Sequence, residues 1–293
     1  MGASEEIMDE AETEAISSKD IEVLHKLSRS IDWQIRRRVV WNPATPEKIL
    51  KDLALDSVQW VREAVAGSPR ISKNILYMLS EDRAGFVRAA VALNSSAPPE
   101  LLMRLAEDEM IDFDYSLNEN RYIVKEAVAR NPSITLEILE LLANDWDEHV
   151  RASAASNPRM TSELLAKLSK DISWLVRNKV AGNPSTANEL LVKLAEDRIV
   201  DIRISVAQNP ATPHKAMLSL ALNRSWEIKH AVAKNPNVSV DILRELSGDW
   251  AWKVREAVAL HPKAPEDVLE RLVKDPDQSV REAARRRTLS NSS

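Results

Sequence analysis

DISWLVRNKVAGNPSTANELLVKLA, residues 171–195, is followed after Glu196 by DRIVDIRISVAQNPATPHKAMLSLA, residues 197–221. The two segments share a register, and a Val/Ile-Arg/Lys pair carries it along the chain. The pair recurs at Ile35-Arg36, Val61-Arg62, Val87-Arg88, Val124-Lys125, Val150-Arg151, Val176-Arg177, Ile202-Arg203, Ile228-Lys229, Val254-Arg255 and Val280-Arg281. Every step is 26 residues except the 37 between Arg88 and Lys125. The same ruler sets Asn-Pro at 42, 131, 157, 183, 209 and 235, with Ser68-Pro69 and His261-Pro262 as variants. Self-similarity at a fixed period marks tandem repeats, each too small to bury its own apolar face, so that neighbours must stack.

Each repeat reads as two short helices. Val61, Ala64, Val65 and Ser68 follow one another at helical spacing until Pro69 ends the helix, and a residue before proline is biased out of the helical region. The next helix opens on Ser72, Thr135, Thr161 or Ser239, or on Pro46, Pro98, Pro213 or Pro265 in the same place; both are helix-start chemistry. Ile71, Ile134, Met160 and Val238 precede the hydroxyl caps, with Leu76, Leu139, Leu165 and Leu243 five places on, the spacing of a hydrophobic staple. Helices of about ten residues are not stable alone in water. Alanines at 64/66, 90/92, 127/129 and 231/233 let successive helices approach closely.

Composition agrees. Five Gly, two Phe and no Cys in 293 residues suit a helical protein and exclude disulfides, thiolate metal sites and a Cys nucleophile. No long apolar run is present and the first residues are acidic, so a non-exported, cytoplasmic protein is expected; Glu6 stands where a myristoylation signal needs Ser or Thr. Residues 1–20 hold seven acids against Lys19, and Glu107 to Glu119 holds six acids and no base. The repeats themselves are therefore basic although the whole chain carries −5.

The Asp-x4-Val-Arg element resembles the inter-helix turn of HEAT repeats. Val-Arg-x-x-Val-Ala-x-Asn-Pro followed by Leu-Leu-x-x-Leu-Ala-x-Asp, clearest at 171–195 and 197–221, resembles the leucine-rich repeat variant family over residues 21–289. The period is shorter than the roughly 40–47 residues of a HEAT repeat, which favours the variant family. The expected fold is all-α: a right-handed superhelical solenoid of about ten 26-residue two-helix repeats. The resemblance implies the hand, and a single 3-10 stretch for one helix of each pair. It implies a binding surface without specifying a ligand; the iron-sulfur segment of some members is not carried over, since this chain has no Cys. Residues 1–19 are expected to be an acidic, disordered segment, with a half-repeat cap beginning near Asp20. The solenoid should run over 20–289 with an insertion near 109–120, and 290–293 should be a flexible tail.

Aspartate recurs six residues before the basic residue, and the ladder Asp56/Arg62, Asp82/Arg88, Asp171/Arg177, Asp197/Arg203 and Asp249/Arg255 reads as structural: helix-start carboxylates paired with the Arg of their own or the next repeat. Two departures from the pattern are candidate sites. One is the insertion, with Asp112, Phe113, Asp114 and Tyr115 as contacts; Asp112-x-Asp114-x-Ser116 lacks the Gly and terminal Glu of a calcium loop, so no metal is assigned. The other is tryptophan, eight against two Phe. Trp33, Trp174, Trp226 and Trp252 take the third place after the Asp position and Trp60 the fourth. They stand one turn from basic residues (Trp33 from Arg36 and Arg37, Trp226 from Lys229), a pattern that fits stacking on a partner or packing between turns. Trp146 and Trp250, in the first place, are expected in the core.

His25, His149, His214, His230 and His261 take unrelated places and the glycines are scattered, so no catalytic group, cofactor or small-molecule substrate is implied. The leading expectation is a non-enzymatic scaffold or adaptor for a protein or peptide, without a membrane. The rival is nucleic-acid binding, with base repair by analogy to helical-repeat glycosylases; it requires that the Arg ladder not be consumed by its aspartates.

Overall fold

The computed structural model describes residues 11–114 and 118–291. The chain divides into two compact parts, residues 1–154 and 155–293, built from the same repeat. In the repeat that starts at Asp171 an Asp-bearing turn opens the helix Trp174–Gly182, the Asn-Pro turn closes it, and the helix Asn188–Leu194 leads to Asp197; the other repeats follow this plan with substitutions at the turns.

In the first part the longer helices are Trp33–Trp41, Gln59–Gly67, Gly85–Leu93 and Ile123–Arg130, with Glu148–Ala155 at the boundary; the shorter ones are Ile21–Leu27, Glu47–Leu53, Lys73–Leu79, Pro99–Ala106 and Leu136–Leu142. In the second part the longer series is Trp174–Gly182, Val200–Gln208, Trp226–Lys234, Trp252–Leu260 and the terminal Gln278–Asn291. The shorter series there is Ser162–Leu168, Asn188–Leu194, His214–Ala221, Val240–Leu246 and Glu266–Leu272. The shorter element, which the resemblance implied could be 3-10, is α-helical in every repeat. The fold is an all-α repeat solenoid.

Burial follows the sequence period. Gln59–Gly67 buries Val61, Val65 and Ala66, and Lys73–Leu79 buries Ile75, Leu76 and Leu79. The staple residues Ile71, Ile134, Met160 and Val238 are buried with Leu76, Leu139, Leu165 and Leu243. Each such Leu or Ile removed from water contributes about 2 kcal/mol, and this burial offsets the ordering cost of helices too short to stand alone. Longer helices of successive repeats pack more closely than shorter ones do, through buried Ala64 and Ala127 in the first part and Ala231 and Ala257 in the second.

Caps are chemically mixed. Thr135 and Thr161 accept from the backbone N–H of Ile138 and Leu164, whereas Pro46, Pro98, Pro213 and Pro265 sit at the cap with no side-chain bond. Residues 11–17 are helical. Ala15 in that helix is buried, and Asn42 donates to the Ala15 and Ser18 carbonyls; Asp20 caps Ile21–Leu27 by accepting from Glu22 N–H. Residues 1–10 and 292–293 lie outside the described residues, as do Tyr115, Ser116 and the side chain of Asp114. The insertion forms a two-stranded antiparallel hairpin, Asp112–Asp114 with Glu119–Arg121. Among the described residues no helix is long and apolar enough to cross a membrane.

Candidate functional site

Two ladders hold the repeats in register and decide which side chains remain available to a partner. The first is ionic. Arg62 donates from Nε to Asp82 Oδ2 at 2.6 Å and from Nη2 to Oδ1 at 2.9 Å, while its Nη1 donates to the Asp56 carbonyl at 2.7 Å. Arg62 therefore reaches the carboxylate of the next repeat, twenty residues on, and the main chain of its own. The carboxylate bond recurs at Arg36–Asp56, Arg88–Asp108, Lys125–Asp145, Arg177–Asp197, Lys229–Asp249 and Arg255–Asp275. Arg36, Arg88, Arg177 and Arg255 also keep the main-chain bond. Burial pushes the Asp56, Asp82, Asp197 and Asp275 carboxyls up, but their Arg partners and a backbone N–H two residues on outweigh it and hold each acid below its usual value. Asp171 and Asp249 stand at the same place in their turns; Asp249 also accepts from Ala251 N–H.

Amide hydrogen bonds form the second ladder. Asn209 Nδ2 donates to the Ala181 and Asn183 carbonyls at 2.7 and 2.9 Å, and its Oδ1 accepts from Ala211 N–H at 2.8 Å. Asn94, Asn131, Asn183 and Asn235 do the same in their repeats. The Asn of Asn-Pro thus satisfies carbonyls that the helix end one repeat earlier leaves open. The two sequence variants keep the function by other means. His261 accepts from Lys263 N–H at Nδ1 and lies 3.1 Å from the Asn235 carbonyl at Nε2. Where Ser68 replaces Asn, Arg70 donates to the Val40 and Asn42 carbonyls, the pair an asparagine at 68 would take.

With the ladder bases so engaged, the nucleic-acid reading loses the phosphate contacts it required. What remains is the outward face of the longer helices, at the third, seventh and eleventh places after the Asp position. In Trp33–Trp41 these are Trp33, Arg37 and Trp41, spaced i, i+4, i+8 on one face. They line a cleft of about 350 Å³ with Gln34 and Arg38, and Arg38 is paired with Glu12 at 2.8 Å. A second cleft, about 190 Å³, continues from Arg37 and Trp41 across Glu63, Gly67 and Leu93. Burial raises the Glu63 carboxyl above its ordinary value against the opposing pull of Arg37. On the next helices Trp60 stacks against Phe86 with centroids 5.9 Å apart.

The second part carries a related face. Lys253 Nζ lies 4.6 Å from the Trp226 ring and 5.8 Å from Trp252, and His230, Lys234, Glu256 and Leu260 line a cleft of about 310 Å³. Burial, with Lys234 and Lys253, pushes the His230 imidazole below its usual value.

Several expected placements change. The cation over Trp226 is Lys253, because Lys229 is turned to Asp249 and lies 6.0 Å from Trp250. Trp146 and Trp250, expected in the core, are 72% exposed; the first place after Asp is in the turn, before the helix begins, so helical phase does not govern it. Trp174 and Trp252 are exposed and Trp33 and Trp226 half-buried. In the insertion, Asp112 is not an open contact. Its half-buried carboxylate packs against Gly85 and lies 3.9 Å from Arg88, while Phe113 is exposed. Trp41 and Glu63 were not singled out in the sequence, although Trp41 follows Trp33 at i+8 on one helical face.

Comparison with known proteins agrees with this architecture. The family model described as "Leucine rich repeat variant" matches residues 85–110 and 252–277. A solved structure described as a leucine-rich repeat variant with a novel repetitive structural motif is 25% identical, with TM-score 0.53, over 80% of this chain and 88% of that one. An engineered protein and the Escherichia coli protein YibA are each 16% identical with TM-score 0.34, covering 93% and 96% of this chain and 88% and 95% of theirs. No curated protein matches. The chain is a helical-repeat protein whose repeats are similar to those of the leucine-rich repeat variant family.

Proposed function

We propose that this protein is a non-enzymatic cytoplasmic scaffold that holds a peptide segment of a partner along the outward face of its longer helices. The observation that supports this is the first-part face. Trp33 and Trp41 flank Arg37, and the two clefts meet there beside Glu63. Such a face offers apolar rings for side chains, guanidinium donors for main-chain carbonyls and a carboxylate for an N–H or a cation, with aromatic and Arg anchors of the kind that dominate interfaces. Ladder bonds from neighbouring positions fix the helices that present it, so little ordering cost falls on binding. Two of the five histidines serve other ends: His261 belongs to the amide ladder and His230 packs against Trp226.

Selecting a displayed random-peptide library against the folded chain tests the reading. Peptides that bind and weaken about tenfold or more on Trp33→Ala/Trp41→Ala replacement are expected, an aromatic anchor pair being worth at least ~1.4 kcal/mol. Selected peptides indifferent to Trp33, Trp41, Trp226 and Trp252 alike would sink it.

A further inference from the structure

The ionic ladder has one faulty rung. Asn223 stands twenty residues after Arg203, where the bases of the described rungs meet Asp56, Asp82, Asp108, Asp145, Asp197, Asp249 and Asp275. Arg203 Nη1 makes the usual bond to its own main chain, the Asp197 carbonyl, at 2.6 Å. Its Nε is buried without a partner. In intact rungs one carboxylate oxygen takes the N–H two residues on and the other takes Nε, as Asp82 does with Ala84 and Arg62. Asn223 Oδ1 accepts from Ser225 N–H at 3.0 Å, so its amide nitrogen occupies the side where Asp presents the second oxygen. Arg203 therefore lacks the carboxylate that the intact rungs supply, in a partly buried setting. A guanidinium Nε–H without a partner, and an amide whose oxygen is already taken, on the two sides of one rung call for an external acceptor, and an oxyanion best of all.

The turns on either side of this rung are dressed consistently. In turns of the second part stand Ile172, 92% exposed, and Trp250, each just after the Asp position, and Leu222, 68% exposed, just before it. Interleaved with them are the exposed bases Lys170, Arg198, Arg224 and Lys274, with Glu196 as the acid among them. Apolar tips beside a base-rich row, with an Arg that lacks its carboxylate in their midst, complement a segment that is acidic and apolar in alternation.

We propose that the turn edge of the second part docks an acidic, apolar-flanked segment of a protein partner, one carboxylate of which bridges Arg203 and Asn223. The proposal rests on the scaffold reading but names a different edge from the Trp33–Trp41 face. Loss of binding through Trp33→Ala/Trp41→Ala and loss through the changes below are therefore separate results.

The test uses the full chain and a labelled peptide alternating Glu and Leu, its Gln/Leu counterpart, and vesicles of phosphatidylcholine with phosphatidylglycerol. The Glu/Leu peptide should bind at least about tenfold more tightly than the Gln/Leu one. Asn223→Asp, which closes the rung internally, and Trp250→Gln, at an exposed tip, should each remove about tenfold of that affinity. The thermal midpoint of Asn223→Asp should stay equal to or above that of the parent, which shows that the loss is not unfolding. Equal affinity for the two peptides, or an unchanged affinity in Asn223→Asp, overturns the proposal. Vesicle binding that depends on Asn223 and Trp250 without peptide binding also overturns it, and assigns the edge to an anionic lipid surface.

Discussion

His261 takes an asparagine's place in the amide ladder, and the substitution carries a pH dependence the other rungs lack. Its Nδ1 accepts from Lys263 N–H, which fixes the proton of the neutral ring on Nε2, facing the Asn235 carbonyl. Protonation would turn Nδ1 into a second donor and break the first bond. Burial, helped by Lys263 and Arg287, holds the imidazole below its ordinary value despite the Asn235 carbonyl. The folded chain therefore binds that proton less readily than the unfolded chain does. The His261 contribution is full above the unfolded value of about 6.5 and is lost as pH falls through the lower folded value. His261→Asn supplies the same donor and acceptor without a titrating group. Thermal midpoints of parent and variant measured from pH 7.5 down to pH 5 should converge at the top of the range and separate toward the bottom, the variant falling less; parallel curves would exclude the mechanism. The existence of this ladder was only half legible in the sequence. Asn-Pro marks a turn through the backbone restriction on the residue before proline, but which carbonyls the amide reaches, one repeat away, depends on stacking that no local pattern encodes. Arg70, which covers the Ser68 defect from two residues further on, is outside the repeat register and so invisible to a search by register.

The insertion shows how an irregular element is seated on a regular one. Gly85 stands in the place that other repeats give to Trp33, Trp174, Trp226 and Trp252. A Cβ built there would come within 1.9 Å of Asp112 Oδ2. The missing side chain is what lets the hairpin close over the first turn of Gly85–Leu93. At its other strand Arg121 holds Glu126 through Nε at 2.8 Å and Nη2 at 2.5 Å, and Glu119 through Nη1 at 2.8 Å. Gly85→Ala should evict the Asp112 carboxylate, a flexible group, and leave the helix intact. The expected outcome is faster amide exchange at 118–121 with a change in global stability of less than about 1 kcal/mol, since Ala also favours the helix by up to that amount. Unchanged exchange would show that the Arg121 clamp alone seats the hairpin. The sequence shows the insertion as an eleven-residue break in period and gives no hairpin. It hides the Asp112–Gly85 seat, because Gly85 looks like a substitution inside one repeat and Asp112 like a residue of a free loop. The helices, their staples and their order were legible because each is announced by several residues at fixed offsets. Exposure at turn positions such as Trp146 and Trp250 was not, because helical phase fails where the helix has not begun.

Across the whole chain, the two ladders make stability a nearest-neighbour property. Arg36, Arg62, Arg88, Arg177 and Arg255 join their own turns to the next, and Asn94, Asn131, Asn183, Asn209 and Asn235 join theirs to the preceding one, so no described bond of either ladder skips a repeat. Apolar burial follows the same rule, since the longer helices pack on those of adjacent repeats. A chain held this way should respond locally to a broken rung, as in a one-dimensional array. Arg62→Met removes a guanidinium whose side chain is 8% exposed and strands Asp82 at 9%. Leaving a buried charge without its partner costs about 3 kcal/mol. The cost should be borne by the repeats that Arg62 joins. Hydrogen exchange should rise in the helices between residues 47 and 93 and stay unchanged within 174–260, while denaturant unfolding loses its single sharp transition. If protection instead falls evenly over both parts of the chain, coupling between repeats exceeds what the individual rungs supply, and the array unfolds as one cooperative body.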